Sequence, residues 1–336
     1  MTDNTHTPWD VIALGETLLR LTPPQQQLLS QTRELEVIVG GSESNTLAGL
    51  AGLGRRCSWL SRLPQHDLGA LVVQKLREHG VDTRQVSWAA ATERLGIFYT
   101  TPATPPLPGR VIYDRAASAA SRMQPEDLPQ SLFTAGQARL FHSTGITAAL
   151  GTEMLATLQT AWQWAGAAGW RRSFDFNYRS NLWPIAQAWN TCQPLMDEAD
   201  VVFLSLRDVQ AVNRDNAALQ SDQAHLDWLR DSVQAGVIVV TRGAEGATLL
   251  TADGQQFDQP SLTQLHHGRI GRGDSFSAGF LDVWLDQPDD YRRALRQAAV
   301  CAAVKSATPG DMAYFVSEQI QAVVNAEHDG AAELVR

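Results

Sequence analysis

The sequence predicts an α/β fold, a three-layer α/β/α arrangement with a mainly parallel central sheet and a small β-sheet lid. Short apolar runs alternate with longer amphipathic segments through most of the 336 residues, as in strands and helices wound around a parallel sheet. Two stretches, about 16–40 and 95–116, have strand patterns without helical segments. We therefore expect a single domain over 1–336, with the lid formed by about 16–40 and 95–116.

Six short apolar runs are the predicted strands of the central sheet, at 11–14, 58–60, 139–141, 173–175, 201–204 and 237–240. Residues 67–79 predict an amphipathic helix, because Asp67 is an acid at its positive end and Gly80 ends the pattern. Its predicted apolar stripe contains Leu68, Leu71, Val72 and Leu76.

The predicted lid strands at 96–99 and 110–113 flank a turn that contains Pro102, Pro105, Pro106 and Pro108. Strands without an intervening helix pair as a hairpin. A small sheet of this kind is well placed to cover a site at the ends of the main strands.

Composition and charge exclude several classes of protein. The 27 basic and 36 acidic residues give a net charge of -9 without a long block of either sign, which argues against a nucleic-acid surface. Cys57, Cys192 and Cys301 are far apart and lack CxxC spacing, so neither a disulfide framework nor a zinc knuckle is expected. No run of about 18 apolar residues and no secretory signal is present, which predicts a cytoplasmic protein without membrane contact.

Residues 271–280, GRGDSFSAGF, place two glycines before an acid that opens a helical pattern. Gly271 and Gly273 let backbone N–H groups turn toward one point, where the helix N-terminus adds partial positive charge. Such a turn holds a phosphoryl group, and Asp274 can take the proton from an attacking hydroxyl. Taken alone, the same residues also fit a plain helix cap. An adhesion tripeptide does not fit a chain without an export signal.

Residues 40–54, GGSESNTLAGLAGLG, join a glycine pair to a helix of small residues. By itself this pattern is more typical of close helix packing than of a ligand loop. No GxGxxG follows the first strand, so a dinucleotide fold is not predicted.

Residues 40–54, residues 62–69 (RLPQHDLG) and residues 271–280 together resemble the motifs of the PfkB, or ribokinase-like, carbohydrate kinase family. The resemblance spans nearly the whole chain. It implies a ribokinase-like fold and phosphoryl transfer from ATP, with Asp274 as base and Gly271, Arg272 and Gly273 in the catalytic turn. It also implies Mg²⁺, held mostly by phosphates and waters, and no metal-ligating protein residues are assigned.

Four further segments are similar to those of 2-keto-3-deoxygluconate kinases, and they lie at 15–21, 109–115, 175–183 and 305–311. By that resemblance the substrate residues are Gly41, Asn45, Phe98, Tyr113, Arg115, Arg179 and Asp311. Arginine suits a sugar acid because its guanidinium offers a carboxylate a fork of donors. Either arginine alone is equally an ordinary surface or ion-pair residue.

Residues 239–247, VVTRGAEGA, resemble the family's strand-turn-strand beside ATP, although a plain hairpin turn has the same pattern. The implied nucleotide residues are Asn177, Ser205, Thr241, Arg242, Gly243 and Gly246.

Three departures from the family pattern affect the phosphate end of the site. Residues 205–208, SLRD, stand where the family often has Asn-x-x-Glu around magnesium. Residues 268–270, GRI, replace an Asp-Thr-Thr run whose carboxylate helps relatives place a monovalent cation, so dependence on potassium is not predicted. Arg272 occupies a position that is usually small.

The first functional hypothesis is phosphorylation of 2-keto-3-deoxygluconate or a close sugar acid. A kinase for fructose, ribose or a nucleoside stays open, as does a sugar-binding regulator without catalysis. The expected partners are a small sugar or sugar acid and a second copy of the chain, paired through the lid as a homodimer.

Overall fold

The computed structural model describes residues 8–24, 27–101, 108–262 and 270–326. Within them, eight strands form the central sheet: β1 Trp9–Leu14, β4 Cys57–Leu60, β9 Ala138–Thr144, β10 Arg171–Asp175, β11 Val201–Ser205, β12 Val237–Thr241, β13 Ala247–Thr251 and β14 Gln256–Gln259. Their spatial order is β14-β13-β12-β11-β10-β9-β1-β4. The pairs from β4 to β12 are parallel, whereas β13 and β14 continue the sheet as antiparallel strands. All six predicted central strands are therefore confirmed.

Helices cover both faces of this sheet, as the three-layer prediction requires. They are α1 Ser42–Gly52, α2 Asp67–Glu78, α3 Gly145–Ala148, α4 Thr152–Ala167, α5 Ile185–Asp197, α6 Leu206–Val212, α7 Asp222–Ser232, α8 Arg272–Asp286, α9 Tyr291–Ser306 and α10 Ser317–Asn325. Ile12 of β1 shares a buried cluster with Trp162 of α4, while the adjacent Val11 shares another with Phe280 of α8. Alternate residues of a strand point to opposite faces, so each strand supplies both cores.

The predicted lid is present as a separate four-stranded sheet, here called the small sheet. Its strands are β2 Leu18–Thr22, β3 Glu36–Gly40, β7 Ile97–Thr101 and β8 Arg110–Asp114, in the order β3-β2-β7-β8. A third sheet pairs β5 Arg62–Pro64 with β6 Ser87–Ala89. Pro102, Pro105 and Pro106 of the predicted turn lie outside the described residues.

The helix predicted over 67–79 is observed as α2, but its buried face differs from the prediction. Val72 and Leu76 are fully buried, whereas Leu68 and Leu71 are 40% and 36% exposed. Val73 completes the buried face instead. The sequence of α2 offers more than one apolar stripe, and its tertiary contacts decide which of them is buried. Nowhere in the described ranges is a helix long and apolar enough to cross a bilayer.

Candidate active site

Helices α1 and α8 lie side by side and run in the same direction. Contacts proceed in step along them: Asn45 with Asp274, Gly49 with Ala278, and Arg55 with Asp282. A Cβ on Gly49 would lie 2.9 Å from the Cβ of Ala278, so small residues permit the close approach. Two helix N-termini, each with partial positive charge and unpaired N–H groups, therefore meet at one place. This is an arrangement that favours an anion.

The turn before α8 has a backbone that only glycine adopts easily. Gly271 has φ +79°, and a Cβ there would collide with the carbonyl oxygen of Asp311. Gly273 is exposed and open space lies where its Cβ would be. The side chain of Arg272 makes no hydrogen bond or ion pair with the described residues, so its guanidinium is available at the edge of the turn. Gly268 and Arg269 of the altered stretch fall outside the described residues.

The carboxylate of Asp274 is held by two donors from α1. Ser42 Oγ donates to Oδ1 at 2.7 Å, and Asn45 Nδ2 donates to Oδ2 at 2.7 Å. Asn177 Nδ2 donates to Ser42 Oγ at 2.7 Å, which orients the hydroxyl toward the acid. Each carboxylate oxygen keeps a second lone pair, so Asp274 can still accept a proton from a substrate hydroxyl. This network is more than a helix cap requires.

Burial raises the pKa of Asp274, while the hydrogen bonds from Asn45 and Ser42 and the charges of Arg179 and Lys305 lower it. Burial moves the pKa of Asp274 toward the working pH, where a general base is most effective. The hydrogen bonds and the nearby positive charges favour the ionised carboxylate.

Two further acids follow neighbouring strands of the central sheet, Asp175 at the end of β10 and Asp208 in the first turn of α6 after β11. Burial, with smaller contributions from the charges of Asp274 and Asp208, raises the pKa of Asp175 to about 8. Burial also raises the pKa of Asp208, whose backbone N–H donates to the Ser205 hydroxyl that caps α6. Arg179 opposes all three shifts, since its charge lowers each of these pKa values. Arg179 is exposed, and its only described hydrogen bond is to the Tyr178 carbonyl at 3.0 Å.

The small sheet presents one face to this site. Arg20, Phe98 and Tyr113 are cross-strand neighbours and therefore point to the same side. Arg20 Nη2 reaches Asp311 Oδ1 at 2.8 Å, and the Asp311 carboxyl packs against Gly40. Burial raises the pKa of Asp311 to about 6, although Arg20 lowers it. The predicted substrate residues Phe98, Tyr113 and Asp311 thus lie on the side of the small sheet that faces α8.

Arg115 is buried and already paired. Its guanidinium binds the Glu16 carboxylate, with Nε at 2.9 Å, and Ser118 Oγ donates to the other Glu16 oxygen at 2.5 Å. It also lies 5.7 Å from the ring centroid of Tyr113. Direct binding of a substrate carboxylate by Arg115 stays a prediction. Gly41 caps α1 with its backbone, since its carbonyl accepts from the Asn45 N–H at 2.8 Å.

The predicted nucleotide residues fall in two places. Asn177 belongs to the Asp274 network, while Ser205 and Thr241 are cross-strand neighbours at the ends of β11 and β12. Beyond Thr241, Arg242 pairs with Asp258 of β14 at 3.2 Å. Gly243 and Gly246 turn the chain with φ of +63° and +106°. The hairpin is therefore observed, and its contact with a nucleotide stays a prediction.

The sequence matches the model of the pfkB family carbohydrate kinases over residues 9–316. The chain belongs to this family. As a PfkB carbohydrate kinase, it is a phosphotransferase.

Relatives of this PfkB kinase include two sugar-acid kinases. The 2-dehydro-3-deoxygalactonokinase of Haloferax volcanii is 34% identical over 318 residues, which cover 94% of this chain and 96% of the relative. The 2-dehydro-3-deoxygluconokinase of Thermoproteus tenax is 32% identical over 305 residues, 90% of this chain and 89% of the relative. The crystal structure of 2-dehydro-3-deoxygluconokinase from Thermotoga maritima has a TM-score of 0.82 at 27% identity, covering 95% of this chain and 100% of that one.

Sequence reasoning missed several residues that surround Asp274 and Asp311. Ser42 has a detectable signal, because it precedes Asn45 by three positions and so shares its helix face. Arg20, Asp175 and Lys305 lie within segments that resemble 2-keto-3-deoxygluconate kinases, but no local pattern predicts a role for them. Among the described residues, no three His, Cys, Asp or Glu side chains are grouped as a metal site.

Proposed function

We propose that this PfkB kinase transfers the γ-phosphoryl group of ATP to a hydroxyl of a 2-keto-3-deoxy sugar acid, either 2-keto-3-deoxygluconate or its C4 epimer, 2-keto-3-deoxygalactonate. The observation that carries the proposal is the Asp274 carboxylate, oriented by Ser42 and Asn45 where two helix N-termini converge. An acceptor hydroxyl beside Asp274 and a phosphoryl group at the Gly271 turn would be adjacent. Positioning of this kind supplies much of the rate enhancement in phosphoryl transfer.

A sugar acid is favoured by the charges around the site. Arg179 is exposed and lacks an ion-pair partner among the described residues, so its guanidinium is available to an anionic substrate. The two sugar-acid kinases at 34% and 32% identity support the same substrate class.

The residues present fit both ATP and Mg²⁺. The Gly271 turn, the first turn of α8 and the unpaired Arg272 suit the phosphates. Asp175 and Asp208 are buried acids whose carboxylates would face the metal, which would keep most of its ligands from phosphates and water. Mg²⁺ would supply charge neutralisation on the phosphates. The chain itself supplies the base and the orienting donors.

A substrate panel tests the proposal. The purified protein, with ATP and Mg²⁺, should produce ADP when either keto-deoxy acid is added, and the ratio of kcat/KM values identifies the preferred epimer. Turnover of fructose, ribose or adenosine with neither acid accepted would overturn it. Asp274→Asn is the control for a contaminating kinase, since any activity that survives this change does not come from the site.

We also propose that two copies pair through the small sheet, on the face away from Asp311. Val37, Leu21, Tyr99 and Ile112 form one cross-strand row there. Val37 and Ile112 are 51% and 54% exposed, which is unusual for apolar residues in such a row. Light scattering should give a dimer mass that Ile112→Asp reduces to a monomer. Val323→Asp on α10, 47% exposed, is the matched control, and a monomeric parent protein would contradict the pairing.

A further inference from the structure

Lys305 is a fully buried cation beneath the phosphate turn. Its exposed fraction is 0%, and its Cε lies 3.2 Å from where a Cβ on Gly271 would be. The chain has two lysines, Lys75 and Lys305, and its other 25 basic residues are arginine. A compact ammonium therefore occurs at a buried position in a chain that otherwise uses guanidinium groups.

The ammonium of Lys305 is coordinated by backbone oxygen atoms. Nζ donates to the Thr308 carbonyl at 3.1 Å and to the Gly310 carbonyl at 2.8 Å. Within the described residues no carboxylate lies within 4.0 Å of it, so this charge has no direct ion pair. Carbonyl oxygens arranged around a monovalent charge are also the ligands that a potassium ion takes in proteins.

A buried charge without a direct partner is unfavourable, and a methionine of similar length would fill the same space without that penalty. Burial and the nearby charge of Arg20 lower the pKa of Lys305, whereas the charges of Asp311 and Asp274 raise it. The position at the C-terminus of α9 also favours a cation. Asp311, Asp274 and the C-terminus of α9 therefore favour the protonated form of Lys305. The ammonium lies below the turn where phosphate charge would develop.

We propose that Lys305 is a built-in cation for the phosphate turn, a positioning residue whose ammonium takes the place of a monovalent metal ion. Its charge stabilises the anion at the N-terminus of α8 without touching the substrate, and its two carbonyl partners hold the loop that carries Asp311 against Gly271. This inference rests on the proposed kinase function.

The first experiment compares the wild-type protein in tetramethylammonium buffer with the same protein after KCl is added at constant ionic strength. We expect kcat to stay within about twofold, since the charge is already present. A clear stimulation by potassium would overturn the proposal. The rise in melting temperature caused by MgATP should likewise not depend on potassium, and this measurement needs no sugar substrate.

The second experiment removes the charge. Lys305→Met should lower kcat by roughly 100-fold, the scale of losing one electrostatic contact to the transition state. Lys305→Ala leaves space, so added potassium or methylammonium should restore part of its activity but none of that of Lys305→Met. A merely structural role would not produce this cation rescue. Lys75→Met, the change at the other lysine, is the control and should keep full activity.

The outcomes separate this inference from the proposed function. Absence of turnover with any sugar acid under every cation defeats the proposed function, and the MgATP melting shift then decides about Lys305. A wild-type shift that requires potassium, or Lys305→Met with unchanged kcat, overturns the inference alone. If the Lys305 variants do not fold, the comparison of the wild-type protein with and without potassium decides whether the inference about Lys305 holds.

Discussion

Asn45 donates its side-chain amide to the Asp274 carboxylate at 2.7 Å, although 229 positions separate the two residues in the sequence. The contact exists because α1 and α8 pack in parallel with their N-termini together. It joins the glycine-pair segment and the catalytic turn into one site. An acid that was merely capping α8 would not need a donor from a second helix.

Asp274→Asn should lower kcat by about 1,000-fold, since only the proton acceptor is removed. The amide is nearly isosteric and can donate to Ser42 Oγ, so the network keeps its shape. Binding of the sugar acid, measured by calorimetry, should change little. Asp286→Asn, at the other end of α8, is the matched control and should retain activity. An unchanged kcat in Asp274→Asn would show that another group is the base.

Ser42→Ala should shift the acidic side of the pH–rate profile to higher pH. The Ser42 hydrogen bond lowers the pKa of Asp274, so its loss raises that pKa, and a base is active only when deprotonated. We also expect kcat near the optimum to fall about tenfold, as for loss of one charged hydrogen bond. Ser44→Ala removes a neighbouring hydroxyl that bonds the Gly41 carbonyl, and its profile should not shift.

Glu43 should make folding stability depend on pH. Burial raises its pKa from 4.5 to about 7, although Thr147 and Thr144 donate to its carboxylate. The folded state then holds a proton that the unfolded state releases, so stability is greatest below pH 4.5 and declines as pH rises toward 7. Relative to Glu43→Gln, the wild-type protein should lose on the order of 3 kcal/mol across that window.

Urea unfolding at several pH values measures this loss. Glu78 is the comparison, because Lys75 lowers the pKa of that surface carboxyl. Any contribution of Glu78 to stability should therefore increase with pH, and Glu78→Gln should remove that increase. Parallel unfolding curves for wild type and Glu43→Gln at all pH values would contradict the prediction.

Arg20→Met should destabilise the protein by roughly 3–5 kcal/mol at pH 8, because it leaves the buried Asp311 carboxylate without its partner. The loss should be smaller at pH 5, where Asp311, whose pKa burial raises to about 6, takes up a proton. Denaturant unfolding at both pH values measures the difference. Arg94→Met breaks an exposed pair with Asp114 and should cost at most about 1 kcal/mol. Equal losses in the two variants would show that burial of the Arg20 pair is unimportant.

The order of strands and helices was predictable from local sequence. Strands such as β11 and β12 are short, largely apolar runs that contain several β-branched residues. The Gly271 turn was predictable for the same reason, since glycine and an acid before an apolar helix favour one local structure. The buried face of α2 was not predictable from local sequence, because its exposed Leu68 and Leu71 are as apolar as its buried Val72.

The α/β class, the small sheet and the two segments that carry Asp274 and Asn45 could be predicted from the amino-acid sequence. They follow from residue periodicity and turn chemistry, which act over a few neighbouring positions. The sequence did not predict that Ser42 and Asn177 orient the acid, that Arg20 reaches Asp311, or that Lys305 lies beneath Gly271. Those contacts join distant parts of the chain, and they depend on how helices and sheets pack against one another, which no local pattern specifies.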